Sequence, residues 1–146
     1  SLFRNEKTVV GVDAREADGE DTGGLTEQAK AFAKEKNCIC VISGKRDIIT
    51  DGKALIYVNN GSPWMSKITG SGCMSTALLG GFLSVEKSVL AGAAVPIVMG
   101  IAGERAQEKC EKNHLGTMSF KNFMIDALFL LTGEEILKYG KGEMFE

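Results

Sequence analysis

Lys67-Ile68-Thr69-Gly70-Ser71-Gly72-Cys73-Met74-Ser75-Thr76-Ala77-Leu78-Leu79-Gly80-Gly81-Phe82 is the stretch that decides the fold of this chain. Two glycines separated by one serine precede a run of small and apolar residues without charge. The run predicts a helix beginning at about Gly72 or Cys73. Gly70 and Gly72 let backbone N–H groups converge with no Cβ in the way. The first N–H groups of a helix have no internal partners, and the helix dipole puts partial positive charge at that end. Such a loop suits a phosphate or a developing anion. Cys73 falls in the first turn, where the same field stabilises a thiolate. It is placed to act as a base towards a hydroxyl held in front of the helix. The residues alone fit equally a glycine-rich turn with a buried cysteine. The loop is shorter than a Walker A loop, and no Gly-Lys-Ser/Thr follows it.

Upstream, residues 15–24 are acidic and glycine-rich and predict a surface loop. Residues 25–36 put Leu25, Ala29, Phe32 and Ala33 on one helical face, with Asn37 placed to close the helix. Residues 38–43 are a continuous apolar run, expected as a strand buried on both faces of a parallel sheet. Residues 48–50 and 54–58 flank Asp51-Gly52, a hairpin signal. Downstream, residues 73–85, about 88–110 and about 119–131 read as helices, the middle one kinked or split by Pro96. The expected order is helix, strand, hairpin, helical run. About three strands are fewer than a doubly wound sheet usually has. That shortage, with Ser1 where Met would stand, predicts a processed start or a piece of something longer.

Seventeen basic and nineteen acidic residues leave a formal charge of −2, with no basic cluster for nucleic acid. No leading segment has signal-peptide order. Residues 68–85 and 89–103 are charge-free, but too short or too polar to span a membrane, and are expected as buried helices. Cys38, Cys40, Cys73 and Cys110 form no Cys-x-x-Cys pair, and His114 is the sole histidine. No zinc site is expected, and the thiols fit a reducing cytoplasm.

Residues 68–82 resemble the anion-hole helix of the hydroxyethylthiazole kinase family, thiamin-salvage enzymes with a ribokinase-like fold. Gly11-Val12-Asp13-Ala14 resembles the family's Gly-Val-Asp segment, and Val41-Ile42-Ser43-Gly44 with Asp47 its Thr-Gly-x-x-Asp strand end. Gly100-Ile101-Ala102-Gly103-Glu104 resembles its following helix, and Ser119-Phe120 with Ile125-Asp126-Ala127-Leu128 its last long helix. The resemblance implies an α/β ribokinase-like three-layer fold, C-terminal portion only, with helices concentrated after residue 72. Residues 1–146 would be the C-terminal part of one kinase domain. It implies transfer of the ATP γ-phosphate to the hydroxyl of 4-methyl-5-(2-hydroxyethyl)thiazole, with Mg2+ required, by a cytoplasmic homotrimer. Carried over by position, Cys73 takes the hydroxyl proton, where related sugar kinases have Asp. Gly70, Ser71, Gly72 and Cys73 form the anion hole, Gly70 contacts substrate, and Ser43 meets the nucleotide where the family has Thr.

The chain departs from that pattern in places. Lys45 stands where the family often has Glu, Asn59 and Ser62 where it often has His, and Pro96 is foreign to its helix. The family's first half, with its Asn-x-x-Glu region for magnesium and phosphate, has no counterpart in these residues. Two other functions remain open: a hydroxymethylpyrimidine-type kinase, and a non-catalytic phosphate-binding or subunit-forming module. Plain packing or turn roles are expected for Cys38, Cys40, Cys110, His114 and Asp47. Lys45-Arg46 is expected as a solvated pair. Glu104 and Arg105 suit a subunit contact or a wet face equally.

Overall fold

The computed structural model describes residues 22–145. Helix α1 (Thr22–Lys36) precedes strands β1 (Cys40–Ile42), β2 (Asp47–Thr50) and β3 (Leu55–Val58). A short 3-10 helix, Pro63–Lys67, leads into α2 (Ser71–Val85), α3 (Val89–Lys112), α4 (Thr117–Leu130) and α5 (Gly133–Tyr139). Strand β4 (Gly142–Phe145) closes the described chain.

The four strands form one antiparallel sheet in the order β1-β2-β3-β4. Side chains alternate along a strand, so each face collects its own apolar set. Cys40, Ile42, Ile48, Leu55 and Tyr57 pack with Leu25, Ala29, Phe32 and Ala33 of α1. Val41, Ile49, Ile56 and Val58 pack with Val89, Ala93 and Ile97 of α3. The far side of α3 presents Val95, Met99, Ala102, Ala106 and Cys110 to Phe120 and Met124 of α4. Met74, Leu78, Leu79 and Phe82 of α2 join that cluster half-buried. The layers are thus α1, sheet, α3, and then α2 with α4.

The expected hairpin at Asp51-Gly52 is present, and Gly52 has φ +91. Asp51 accepts hydrogen bonds from Lys53 and Ala54 N–H at 2.8 and 2.9 Å. Thr50 Oγ1 donates to the Ala54 carbonyl at 2.6 Å and accepts from Gly52 N–H at 3.0 Å. Asn37 ends α1 with φ +49, as expected of it.

Several expectations are corrected. The run at residues 38–43 yields an antiparallel strand whose Val41 and Ile42 are only half-buried. An apolar β-branched run specifies a strand but not its partner's direction. Pro96 neither splits nor ends α3, which carries twelve buried residues on both sides of it. That burial outweighs the lost hydrogen bond and ring clash, which cost about 3 kcal/mol. Residues 22–24, expected in a loop, open α1. The charge-free stretch at residues 68–85 is no buried helix, for α2 has no buried residue. Strand β4 and helix α5 were not anticipated. Gly-Glu-Met-Phe and Gly-Glu-Glu-Ile-Leu-Lys-Tyr carry too few periods to stand out. Among the described residues α3 alone is long and apolar enough to cross a membrane, and most of that window is buried by the protein's own elements.

Gly52 fixes the spacing between hairpin and α1. A Cβ there would lie 2.8 Å from Lys34 Cβ, 2.9 Å from Lys34 N and 3.0 Å from the Lys30 carbonyl oxygen. Gly52→Ala therefore combines left-handed strain with a clash against backbone. It is expected to lower stability by about 2–4 kcal/mol, read from urea unfolding.

Candidate active site

The candidate loop is carried on α3. Asn60, just past β3, is 5% exposed. Its Oδ1 accepts from Lys141 N–H at 2.6 Å, and its Nδ2 donates to the Tyr139 carbonyl at 3.0 Å and to Glu104 Oε1 at 3.3 Å. The same Glu104 oxygen accepts from Gly61 N–H and from Lys141 Nζ, both at 3.0 Å. Ser62 caps the 3-10 helix by accepting from Trp64 N–H at 3.1 Å, and it donates to Gln107 Oε1 at 2.7 Å. Trp64 and Met65 pack against the core beneath, Trp64 lying 5.7 Å from the Phe120 ring. Ser71 Oγ then donates to the Met65 carbonyl at 3.0 Å, tying the 3-10 helix to the start of α2.

At that start Gly70 is the N-cap, with φ +104 and ψ −7, and no side chain caps the terminus. Met74 N–H closes the first turn on the Gly70 carbonyl at 2.9 Å. The amides of Ser71, Gly72 and Cys73 precede that first bond, the position in which helix N–H groups remain available to a ligand. A Cβ on Gly70 or Gly72 would meet nothing within 4 Å, so the space before the helix is open. Cys73 is an exposed free thiol in the same turn. The structure therefore brings Gly70, Ser71, Gly72 and Cys73 together around one helix end. The helix starts at Ser71, a residue or two earlier than expected.

Ser43 lies elsewhere, exposed just beyond β1 in the connection to β2. Among the described residues no hydrogen bond or ion pair joins Ser43 to residues 70–73. Asp47 closes that connection by accepting from Gly44 N–H at 2.8 Å. Lys45 is exposed, but Arg46 is no free solvated cation. It pairs with Glu143 at 3.0 Å and lies 3.8 Å over the Tyr57 ring. Glu104 and Arg105 also face inward duties, Arg105 pairing with Glu135 at 2.7 Å. His114 is an exposed turn residue with φ +52. Gly11-Val12-Asp13-Ala14 lies outside the described residues. Glu104 and Gln107, which hold residues 60–62 ahead of the 3-10 helix, are supports that the sequence reading does not single out. Their only signal in the sequence is their place on a helix rich in small residues.

A model of the hydroxyethylthiazole kinase family matches residues 1–134. The chain belongs to that family. It is 38% identical over 141 residues to hydroxyethylthiazole kinase 2 of Methanosphaera stadtmanae, covering 94% of this chain and 50% of that one. It is 42% identical over 138 residues to a hydroxyethylthiazole kinase of Clostridium beijerinckii, covering 92% and 49%. The fold is similar to the solved hydroxyethylthiazole kinase of Pyrococcus horikoshii, with a TM-score of 0.76 and 29% identity over 84% of this chain and 47% of that one. The chain thus spans about half the length of the relatives it matches. Its mixed α/β fold is that of about half of a hydroxyethylthiazole kinase, with α2 to α5 following residue 70.

Two titrations bear on this region. Burial raises the Asp47 carboxyl from 3.8 to about 6, against the lowering effect of the Gly44 amide. A raised carboxyl favours folding in its protonated form. Its contribution is full below about pH 4 and is lost as pH rises through about 6. Asp47→Asn keeps an acceptor for Gly44 and cannot ionise. The variant is expected to exceed wild type by about 2–3 kcal/mol at pH 7.5, the gap closing by pH 4 in urea unfolding. Glu135 behaves oppositely. The Arg105 hydrogen bond, then the Thr132 amide, lower it from 4.5 to about 2. Its contribution is present above 4.5 and disappears only as pH falls through about 2, below the Asp47 window.

Gly70→Ala forces a left-handed backbone on a residue with Cβ. It is expected to cost about 1–2 kcal/mol. Gly72→Ala, inside the helix with open space around it, is expected to gain up to about 1 kcal/mol. Equal effects of the two on the urea midpoint would contradict the strained cap.

Proposed function

We propose that the chain is the C-terminal part of an enzyme that transfers the γ-phosphate of ATP to the hydroxyl of 4-methyl-5-(2-hydroxyethyl)thiazole. The observation that carries this is the uncapped N-terminus of α2, with Gly70 left-handed and an exposed thiol in its first turn. Family membership supports the thiazole alcohol over a pyrimidine alcohol.

In this reading the Ser71, Gly72 and Cys73 amides donate to the oxygens of the transferring phosphoryl group and offset its charge. Gly70 leaves room for the substrate beside them. Cys73 Sγ accepts the hydroxyl proton as the substrate oxygen bonds to phosphorus and ADP leaves. Phosphoryl transfer proceeds through a loose transition state, so a modest base suffices. Ser43 meets the nucleotide from the end of β1.

Magnesium, when bound, would supply positive charge to offset that of the nucleotide phosphates. The loop and α2 offer hydroxyls and amides but no carboxylate. Among the described residues no three His, Cys, Asp or Glu side chains gather. These residues do not make a magnesium site by themselves. A cytoplasmic homotrimer completes the reading. The chain's half length favours one second reading, a phosphate-binding or subunit-forming module without turnover of its own.

The test is phosphate transfer from ATP to the thiazole alcohol by the chain together with an N-terminal half of the family domain. Cys73→Ala is expected to lower kcat/KM about 10²-fold, and Cys73→Asp to restore part of it. A wild-type assembly that binds neither ATP nor the thiazole would overturn the proposal.

A further inference from the structure

The amides of Ser71, Gly72 and Cys73 are anchored by a single side chain. Within residues 70–73 the Ser71 hydroxyl alone hydrogen-bonds to another segment, donating to the Met65 carbonyl at 3.0 Å. A serine at a helix N-terminus commonly turns its oxygen onto the free amides. Here the hydroxyl proton points out of the helix instead, and the amides stay uncapped. The orientation of the helix start is therefore set by where the Met65 carbonyl lies.

Met65 is bound at both ends. Its N–H donates to the Ser62 carbonyl at 3.0 Å, and its own carbonyl accepts the Ser71 proton. Ser62, 8% exposed, uses both sides of its hydroxyl. The oxygen accepts from Trp64 N–H at 3.1 Å, and the proton goes to Gln107 Oε1 at 2.7 Å. Gln107 Nε2 donates in turn to Glu111 Oε1, one turn further along α3, at 2.7 Å. The far end dictates the direction of this relay. A carboxylate only accepts, so Glu111 takes the amide N–H and leaves the Gln107 carbonyl oxygen for Ser62. The one Ser62 proton is thereby directed to Gln107, and a Ser62 lone pair is left for Trp64 N–H. Gly103, one turn before Gln107, makes the room. A Cβ there would lie 2.8 Å from Met65 Sδ and 3.3 Å from Ser62 Cβ.

We propose that Gln107 and Ser62 are positioning residues for the anion hole, acting through Met65 and the Ser71 hydroxyl to aim the Ser71, Gly72 and Cys73 amides. This rests on the reading of that helix start as the phosphoryl site. Amide donors stabilise a transition state only at hydrogen-bond distance from the oxygens that gain charge. A misplacement of about 1 Å can cost about 10²-fold in rate, and supporting hydrogen bonds prevent it. Glycines at 70 and 72 give the loop no stiffness of their own, so the relay supplies it. Loosening the relay spoils the fit to the transition state and leaves ground-state binding alone. The rate constant kcat then falls while KM holds.

The test uses Gln107→Leu and Ser71→Ala, both changes to good helix formers, in the chain assembled with an N-terminal half of the family domain. Each is expected to lower kcat about tenfold, with KM for ATP and for the thiazole alcohol within about twofold of wild type. Because they act along one relay, the two together are expected to cost little more than either alone. Gln107→Glu offers Ser62 an acceptor in either orientation, and Ser71→Thr keeps a donor for Met65. Both are expected to stay near the wild-type kcat. In the free 146-residue chain the Ser71, Gly72 and Cys73 amide resonances are expected to shift in Gln107→Leu and to return in Gln107→Glu. The proposal is overturned by unmoved amides, by an unchanged kcat, by a loss confined to KM, or by losses that multiply. Equal impairment of Gln107→Glu and Gln107→Leu overturns it too. Responsive amides without phosphate transfer by the wild-type assembly refute the proposed activity and leave the relay standing. Phosphate transfer with unmoved amides does the reverse.

Discussion

Helix α3 has to be thin on two sides at once. Its Gly92 and Ala93 face the sheet, and Gly100 and Gly103 face the segment that runs from β3 into the 3-10 helix. Side chains at those places would push apart the layers that meet on α3. Ile39 and Ile49 come close on one side, Asn60, Ser62 and Met65 on the other. Between these contacts Val95, Met99, Ala102 and Ala106 anchor α2 and α4. The position of the glycine loop, the spacing of the sheet and the seat of the C-terminal segment all follow from this one packed helix. It also explains why Pro96 is tolerated. A lost hydrogen bond is small beside the burial of both flanks.

From that helix a continuous route runs to the candidate site. Glu104 gathers Asn60, Gly61 and Lys141 around one carboxylate oxygen. Ser62 and Gln107 hold the next turn, and Ser71 hooks the loop to Met65. These bonds hold the segment that leads into the loop, which is how a rigid scaffold presents a loop whose own residues are small and flexible. The loop needs that support because glycines at 70 and 72 supply room and curvature but no side-chain anchors.

Much of this was legible from the chain alone. The four larger helices, the hairpin at Asp51-Gly52 and the grouping of residues 70–73 at a helix start follow from local patterns: period, turn chemistry and the absence of internal partners at a helix end. The parts that were not legible share a physical reason. Whether residues 38–43 pair parallel or antiparallel depends on a neighbour, not on their own composition. Arg46 and Glu143, which form an ion pair, are 97 positions apart. Glu104 and Asn60 are 44 apart. Such pairings leave no local signature.

By itself the sequence determined which segments become helices, where the glycine loop sits, and the family likeness, which the family model matches over residues 1–134. Those properties depend on neighbours within a few positions, and periodicity and turn residues encode them directly. Only the tertiary structure decided that α3 is the shared spine, that Glu104 and Arg105 pair within the chain, and that α2 is half-covered on one face and bare on the other. Packing joins residues far apart in the chain, and coverage depends on what else is present. A charge-free run such as Ser71–Val85 looks the same in sequence whether one face of it or both are buried.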